Sequence, residues 1–104
     1  MSCAAPEGGH ALPATAEGGA GTESVIQGTV VRAGEPVRSY VRLLGETGEF
    51  TAEVPTGDDG RFRFFAAPGV WTLRTLAPRS EPVDTLAEAA QGQITEVVVE
   101  LPAL

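Results

Sequence analysis

The sequence predicts an all-β fold, an antiparallel β-sandwich of about seven strands, with a disordered N-terminal tail. Apolar and polar residues alternate with a period of two in six or seven short stretches, which is the pattern of half-buried strands. Glycine or proline separates these stretches, as expected for turns. No stretch shows the periodicity of a long helix. The chain has 104 residues, the usual size of a single domain.

We expect residues 1–23 to form the tail and residues 24–104 to form the sandwich. The tail is rich in glycine and contains no aromatic or β-branched apolar residue. Such a segment cannot offset its ordering entropy by burial. It nevertheless holds Cys3 and His10, the single cysteine and single histidine of the chain.

The first strands follow from "VIQGTVVR" and "SYVRLLG". In the first stretch, Ile26 and Val30 lie on one face, and Gly28 between them indicates a bulge or a close backbone contact. The turn "AGEP" comes next. In the second stretch, Val41 and Leu43 point inward by the same alternation.

The stretches "EFTAEV" and "RFRFF" are separated by the loop "PTGDDG" and are predicted to pair as a hairpin. The predicted inward side chains are Phe50, Ala52, Val54, Phe62 and Phe64. A register that places Val54 opposite Phe62 also places Glu53 opposite Arg63, so it predicts a cross-strand ion pair.

Two further strands complete the sandwich. In "VWTLRTLAP", Trp71 and Leu73 point inward, and we expect Trp71 to join the phenylalanines in the core. The stretch "VDTLAEAAQG" is either a short strand or one helical turn. In "QITEVVVEL", the set that contains Val97 and Val99 is predicted to be buried.

Composition excludes several classes of function. The net charge is −7, from eleven Glu and three Asp against seven Arg and no Lys, which disfavours nucleic acid as a partner. We expect no membrane span, because no apolar run is long enough, and no secretory signal, because no apolar segment precedes Cys3. A single cysteine forms no internal disulfide, so a reducing cytoplasm is the expected location.

The stretches "GTVVRAGEPVRSYVRLL" and "GDDGRFRFFAAPGVWTLRTLAP" resemble the carboxypeptidase regulatory-like, transthyretin-like sandwiches. The matching elements are Gly28–Val30, Pro36, Val41–Leu43, Gly60–Phe64, Pro68–Gly69 and Trp71–Leu73. This resemblance implies the fold. It also implies a binding or stabilising role and indicates no particular reaction.

A closer resemblance is carried by "YVRLLGETGEFTAEV" and "FRFFAAPGVWTLRTL", and by a cysteine just after the initiator methionine. These features are similar to the small actinobacterial SseC-type proteins, an otherwise uncharacterised family. The resemblance implies a role in sulfur metabolism in association with thiosulfate sulfurtransferases, and it brings no catalytic residues. Here Ser2 separates Met1 from Cys3, which alters the position of the thiol relative to the terminus.

Cys3 is the candidate sulfur acceptor, since an exposed thiol can reach a partner's active site and form a persulfide. The alternative is a free thiol of ordinary acidity. Cys3 and His10 would supply only two metal ligands, so no metal or other cofactor is expected. Asp58 and Asp59 are explained by turn chemistry.

A second candidate site consists of outward side chains on neighbouring strands. These partner-binding candidates are Tyr40, Arg42, Arg61, Arg63 and Arg74. They could form a small patch that binds an anion or a protein. The alternative is a solvated sheet face in which Glu49 and Glu53 neutralise the arginines.

Two hypotheses of function follow, and in neither is the chain a stand-alone enzyme. In the first, a cytoplasmic accessory protein docks to a thiosulfate sulfurtransferase, and Cys3 accepts or relays sulfur. In the second, the sandwich is a non-catalytic binding or stabilising module that acts through its sheet face or an edge strand. An exposed edge strand is also a route to a homodimer.

Overall fold

The computed structural model describes residues 24–104, which form eight strands. The strands are β1 (Val25–Arg32), β2 (Glu35–Pro36), β3 (Tyr40–Leu44), β4 (Phe50–Pro55), β5 (Arg61–Phe65), β6 (Gly69–Leu76), β7 (Val83–Ala89) and β8 (Ile94–Leu101). They make two sheets, and β2 is only two residues long. The predicted all-β sandwich of about seven strands is therefore confirmed. Within residues 24–104 there is no helix that could cross a membrane.

β1 is the centre of the first sheet. One edge of β1 pairs in parallel with β8 along its whole length, from Val25 opposite Ile94 to Arg32 opposite Leu101. The other edge pairs antiparallel with β5 and then with β2. A parallel neighbour requires a long crossover, so β8 reaches β1 only after the chain has built the second sheet.

The second sheet has the order β4-β3-β6-β7, and all its pairs are antiparallel. The central pair places Arg42 opposite Arg74 and Leu43 opposite Leu73. The pairing of β3 with β4 shifts register between Leu43 and Leu44. Such a bulge re-aims the side chains beyond it.

The core lies between the two sheets, and both contribute alternate side chains to it. Its buried members are Ile26, Val30, Val41, Leu43, Phe62, Phe64, Leu73, Ala87, Ala89, Val99 and Leu101. The inward faces predicted for the strands of the first sheet are thus confirmed, and so are those predicted for β3. In β8, Val99 is buried whereas Val98 is exposed, as the alternation requires.

Gly28 marks the close backbone contact that its place in β1 indicated. A Cβ atom added there would lie 2.0 Å from the carbonyl oxygen of Val97 and 3.0 Å from Cζ of Phe62. Because β1 pairs with β5 and β8 without a break around Gly28, the contact comes from the packing of β8 and does not involve a bulge.

The predicted hairpin of β4 and β5 is wrong. β4 pairs with β3 in the second sheet, and β5 pairs with β1 in the first. The intervening loop therefore crosses between the sheets. The predicted ion pair is wrong for the same reason, since Glu53 pairs with Arg42 and the Arg63 Nε atom donates to the Gln27 side chain.

One aromatic prediction needs correction, and a second is confirmed in part. Phe50 lies beyond the bulge and is 60% exposed. Trp71 packs against the core, as predicted, but is only half-buried. Its indole N–H donates to the Ala67 carbonyl over 2.8 Å, which ties β6 to the turn before it. The undecided stretch at residues 83–89 is the edge strand β7, because it pairs with β6 along its length.

Candidate functional site

The predicted candidate residues lie on opposite outer faces of the sandwich. Tyr40, Arg42 and Arg74 belong to the second sheet, and Arg61 and Arg63 belong to β5 in the first sheet. They therefore do not form one patch. Cys3 and His10 lie outside the described residues, as does the whole predicted tail.

On the second sheet, four charged side chains form a row across all four strands. The strand register places them in the order Glu53, Arg42, Arg74, Asp84. Arg42 Nε donates to Glu53 over 2.7 Å, and Arg74 binds both carboxylate oxygens of Asp84, over 2.9 and 3.0 Å. Each arginine thus has its own acid, and the row, which we call the charge ladder, is neutral as a whole.

The ladder affects the acidity of its end residue. The hydrogen bonds from Arg74 lower the pKa of the Asp84 carboxyl, against a smaller opposing effect of burial. Asp84 is therefore ionised throughout the neutral range. The two arginines lie side by side only because an acid flanks each of them, since unpaired like charges on facing residues repel.

Exposed apolar side chains flank the charge ladder on the same face. Tyr40 is 52% exposed, Phe50 60% and Leu86 72%. Val70 lies on this face as well, because it is four residues before Arg74 on β6. The Arg42 guanidinium lies 5.9 Å from the centroid of the Phe50 ring, within the range of a cation–π contact. We call these four residues and the charge ladder the ladder face.

The outer face of the first sheet has a different, mainly polar network. Gln27 accepts from Arg63 Nε over 2.9 Å and donates to Glu96 over 3.1 Å, and Arg61 lies 3.7 Å from the same carboxylate. Burial, followed by the charge of Arg61, lowers the pKa of Arg63. The Nη1 atom of Arg63 is buried without a hydrogen-bond partner.

The described residues offer little for covalent catalysis. Residues 24–104 contain no cysteine and no histidine, and no group of acidic side chains in this range could hold a metal ion. Asp59 accepts from the backbone N–H of Arg61, which is the predicted turn chemistry, and Asp58 pairs with Arg38.

Some features of the site escaped the sequence prediction. The ladder partners Glu53 and Asp84 were not assigned to Arg42 and Arg74, because alternation shows which face a residue occupies but not its neighbour. A cavity beside Ser39 and Thr56 had no signal in the sequence, since its residues come from the ends of three strands.

The fold has close structural counterparts of low sequence identity. The Bacillus anthracis TIE protein matches 80% of this chain with a TM-score of 0.68 and 17% identity, and this chain spans 18% of that one. The dioxygenase domain of a dioxygenase carbohydrate-binding protein fusion from Streptomyces sp. SirexAA-E matches 81% of this chain and 82% of its own length, with a TM-score of 0.62 and 13% identity. These likenesses show the sandwich fold alone.

The sequence relatives are mycobacterial. An uncharacterised protein of Mycobacterium tuberculosis is 43% identical over 101 residues, covering 95% of this chain and 98% of its own. One from Mycolicibacterium smegmatis is 47% identical over 81 residues, covering 76% of this chain and 89% of its own. The family profile described as "Protein of unknown function (DUF1416)" matches residues 3–101. The chain therefore belongs to the DUF1416 family.

Proposed function

We propose that this chain is a small accessory protein that binds another protein through its ladder face. The observation that carries this proposal is the exposure of Phe50 and Leu86, at 60% and 72%, beside arginines that are already neutralised. Aromatic, apolar and arginine side chains are enriched at the centres of protein interfaces. A neutral ladder adds hydrogen-bonding groups to such a surface without adding net charge.

The partner we propose is a thiosulfate sulfurtransferase, and the proposed sulfur acceptor is Cys3. Both rest on the resemblance to the SseC-type proteins. The Cys3 thiolate would attack the outer sulfur of the enzyme's persulfide, so that Cys3 gains a persulfide and the enzyme thiolate leaves. Residues 24–104 supply no thiol, so the sandwich would contribute docking. A reducing cytoplasm, the proposed location, keeps a lone thiol reduced.

The second candidate function is a non-catalytic binding or stabilising module that uses the same face. The lack of any cysteine or histidine between residues 24 and 104 favours it. Among residues 24–104, the strands β4 and β7 of the second sheet each have one edge without a paired strand. Pairing along such an edge is the route we propose for a homodimer.

Intact-mass spectrometry tests the sulfur role. The full chain is incubated with thiosulfate and a rhodanese-type sulfurtransferase without reductant. We expect a gain of about 32 Da, one sulfur atom, that a thiol reverses and that Cys3→Ser abolishes. No gain on a protein whose thiol is shown to be free would reject the sulfur role and leave the binding module.

Docking is tested separately by isothermal titration calorimetry with the same enzyme. We expect Leu86→Ala to weaken binding about tenfold or more, as for an anchor residue at an interface. Val98→Ala is the matched control, because Val98 is 66% exposed on the opposite face, and it should leave the affinity unchanged. Equal effects of the two substitutions would exclude the ladder face. Deletion of residues 1–22 should preserve binding through the ladder face. It should also remove sulfur loading if Cys3 is the acceptor.

A further inference from the structure

A cavity of about 560 Å³ opens at one end of the second sheet. It lies where β3 begins and where β4 and β6 end. The lining residues are Arg38, Ser39, Tyr40, Pro55, Thr56, Leu76, Ala77, Pro78 and Ser80. Its volume lies within the range of small-molecule sites. The cavity shares Tyr40 with the ladder face but contains none of the four charges of the ladder, and it needs neither a partner protein nor Cys3.

One residue that lines this cavity, Ser39, has a buried hydroxyl without a hydrogen-bond partner. Ser39 as a whole is 5% exposed. The Ser39 N–H donates to the Thr56 hydroxyl over 2.9 Å, and the Thr56 N–H donates back to the Ser39 carbonyl. The Thr56 hydroxyl therefore acts as an acceptor in this pair. A buried donor such as the Ser39 hydroxyl is costly unless an acceptor reaches it.

One cation lies at the same cavity. Arg38 lines it and pairs with Asp58, and that carboxylate raises the pKa of Arg38, chiefly through a hydrogen bond. Both side chains are largely exposed, at 72% and 83%. An exposed pair of this kind is weak, so a ligand carboxylate can take the place of Asp58 on the planar guanidinium.

The other walls are apolar. Tyr40, Leu76, Pro55 and Pro78 present ring and alkyl surface, which favours an apolar ligand body. The hydroxyls and the guanidinium favour an anionic acceptor at one end of that body. We propose that this cavity is a binding site for a small apolar carboxylate, with its carboxylate on Arg38 and the hydroxyls of Ser39 and Thr56.

The probe for the test is 4-phenylbutyrate, titrated into the uniformly ¹⁵N-labelled full chain and followed by backbone amide shifts. We expect saturable shifts at Ser39, Tyr40, Thr56 and Ala77, and none at Leu86 on the ladder face. The neutral analogue 4-phenylbutanamide should bind about tenfold more weakly, because it lacks the charge that Arg38 recognises.

Substitutions that should change the affinity for the probe in opposite directions then identify the side chains that bind it. Arg38→Gln should weaken the probe about tenfold, whereas Asp58→Asn should tighten it severalfold by freeing Arg38. Glu100→Gln is the matched control, since it removes one negative charge on the outer face of the first sheet and should leave the affinity unchanged. Ser39→Ala should weaken binding about fivefold with the remaining amide shifts preserved, which shows that the variant is folded.

Four results would overturn the proposal. They are the absence of saturable shifts at millimolar probe, shifts centred on Leu86, equal binding of acid and amide, and equal tightening by Asp58→Asn and Glu100→Gln. The last would mean that the probe senses only the net charge of −7. None of these results bears on docking through Phe50 and Leu86, which do not line the cavity.

Discussion

Replacing Gly28 by alanine tests the close approach of β8 to β1. The added Cβ would lie 2.0 Å from the carbonyl oxygen of Val97 and 2.9 Å from its carbonyl carbon. Carbon–oxygen contacts between strands relax at about 3.3 Å. β1 and β8 would therefore have to separate by roughly 1.3 Å at this point, which is more than a backbone hydrogen bond between paired strands tolerates.

The cost can be assembled from two unfavourable terms and one offsetting term. Overpacking in a well-packed core costs about 1–3 kcal/mol. Each backbone hydrogen bond that opens between β1 and β8 costs about 1 kcal/mol. The lower backbone entropy of unfolded alanine returns about 0.4–1 kcal/mol. The net loss is about 3 kcal/mol, against a total of about 4–12 kcal/mol for a domain of about 80 residues. The Tm should then fall by roughly 10–25 °C.

Urea denaturation monitors this loss through the fluorescence of Trp71, the single tryptophan, and through far-UV circular dichroism. Gly57→Ala is the control, because its Cβ would meet only the end of the Asp59 side chain, at 3.0 Å. It should change the free energy of unfolding by less than about 0.5 kcal/mol. If Gly28→Ala costs under about 1 kcal/mol, or no more than Gly57→Ala, the close approach of β8 does not restrict the side chain at this position.

Two further substitutions test the core and the charge ladder. Leu73→Ala removes a fully buried side chain and should cost about 2–5 kcal/mol in urea denaturation; a cost no greater than that of Leu86→Ala, on the surface, would contradict the assignment of the core. Asp84→Asn tests the lowered pKa of Asp84. A folded pKa below the unfolded value stabilises the protein above about pH 4, and this contribution is lost as pH falls through the folded pKa. The Tm difference between wild type and Asp84→Asn should therefore shrink as pH falls below about 4, and a difference that acid leaves unchanged would contradict the pairing with Arg74.

The inward faces of most strands could be predicted because alternation is a property of a single strand. Val41 and Leu43, or Phe62 and Phe64, need only a core on one side to be buried. The prediction for Phe50 was wrong because the bulge in the pairing of β3 with β4 changes the phase at that end of β4. A bulge arises from how two strands pair, so the sequence of either strand alone does not predict it.

Strand neighbours could not be predicted in the same way. The loop between β4 and β5 has the composition of a hairpin turn, yet it joins two sheets. Glu53 complements Arg42 and Arg63 equally well by charge, and only the sheet order selects Arg42. The cavity beside Ser39 could not be predicted from the sequence either, since it exists only where three strand ends converge.

The internal pairing of the ladder bears on the kind of partner that the proposed docking would accept. Arg42 and Arg74 are each neutralised within the sheet, so they offer hydrogen bonds and stacking surface and no free positive charge. The whole chain carries a net charge of −7, which repels an acidic protein during approach. Binding through this face would therefore draw its affinity mainly from Phe50 and Leu86, and salt would change the dissociation rate little. A partner with a neutral or basic apolar patch satisfies both conditions, whereas a strongly acidic partner would have to break the ladder in order to bind.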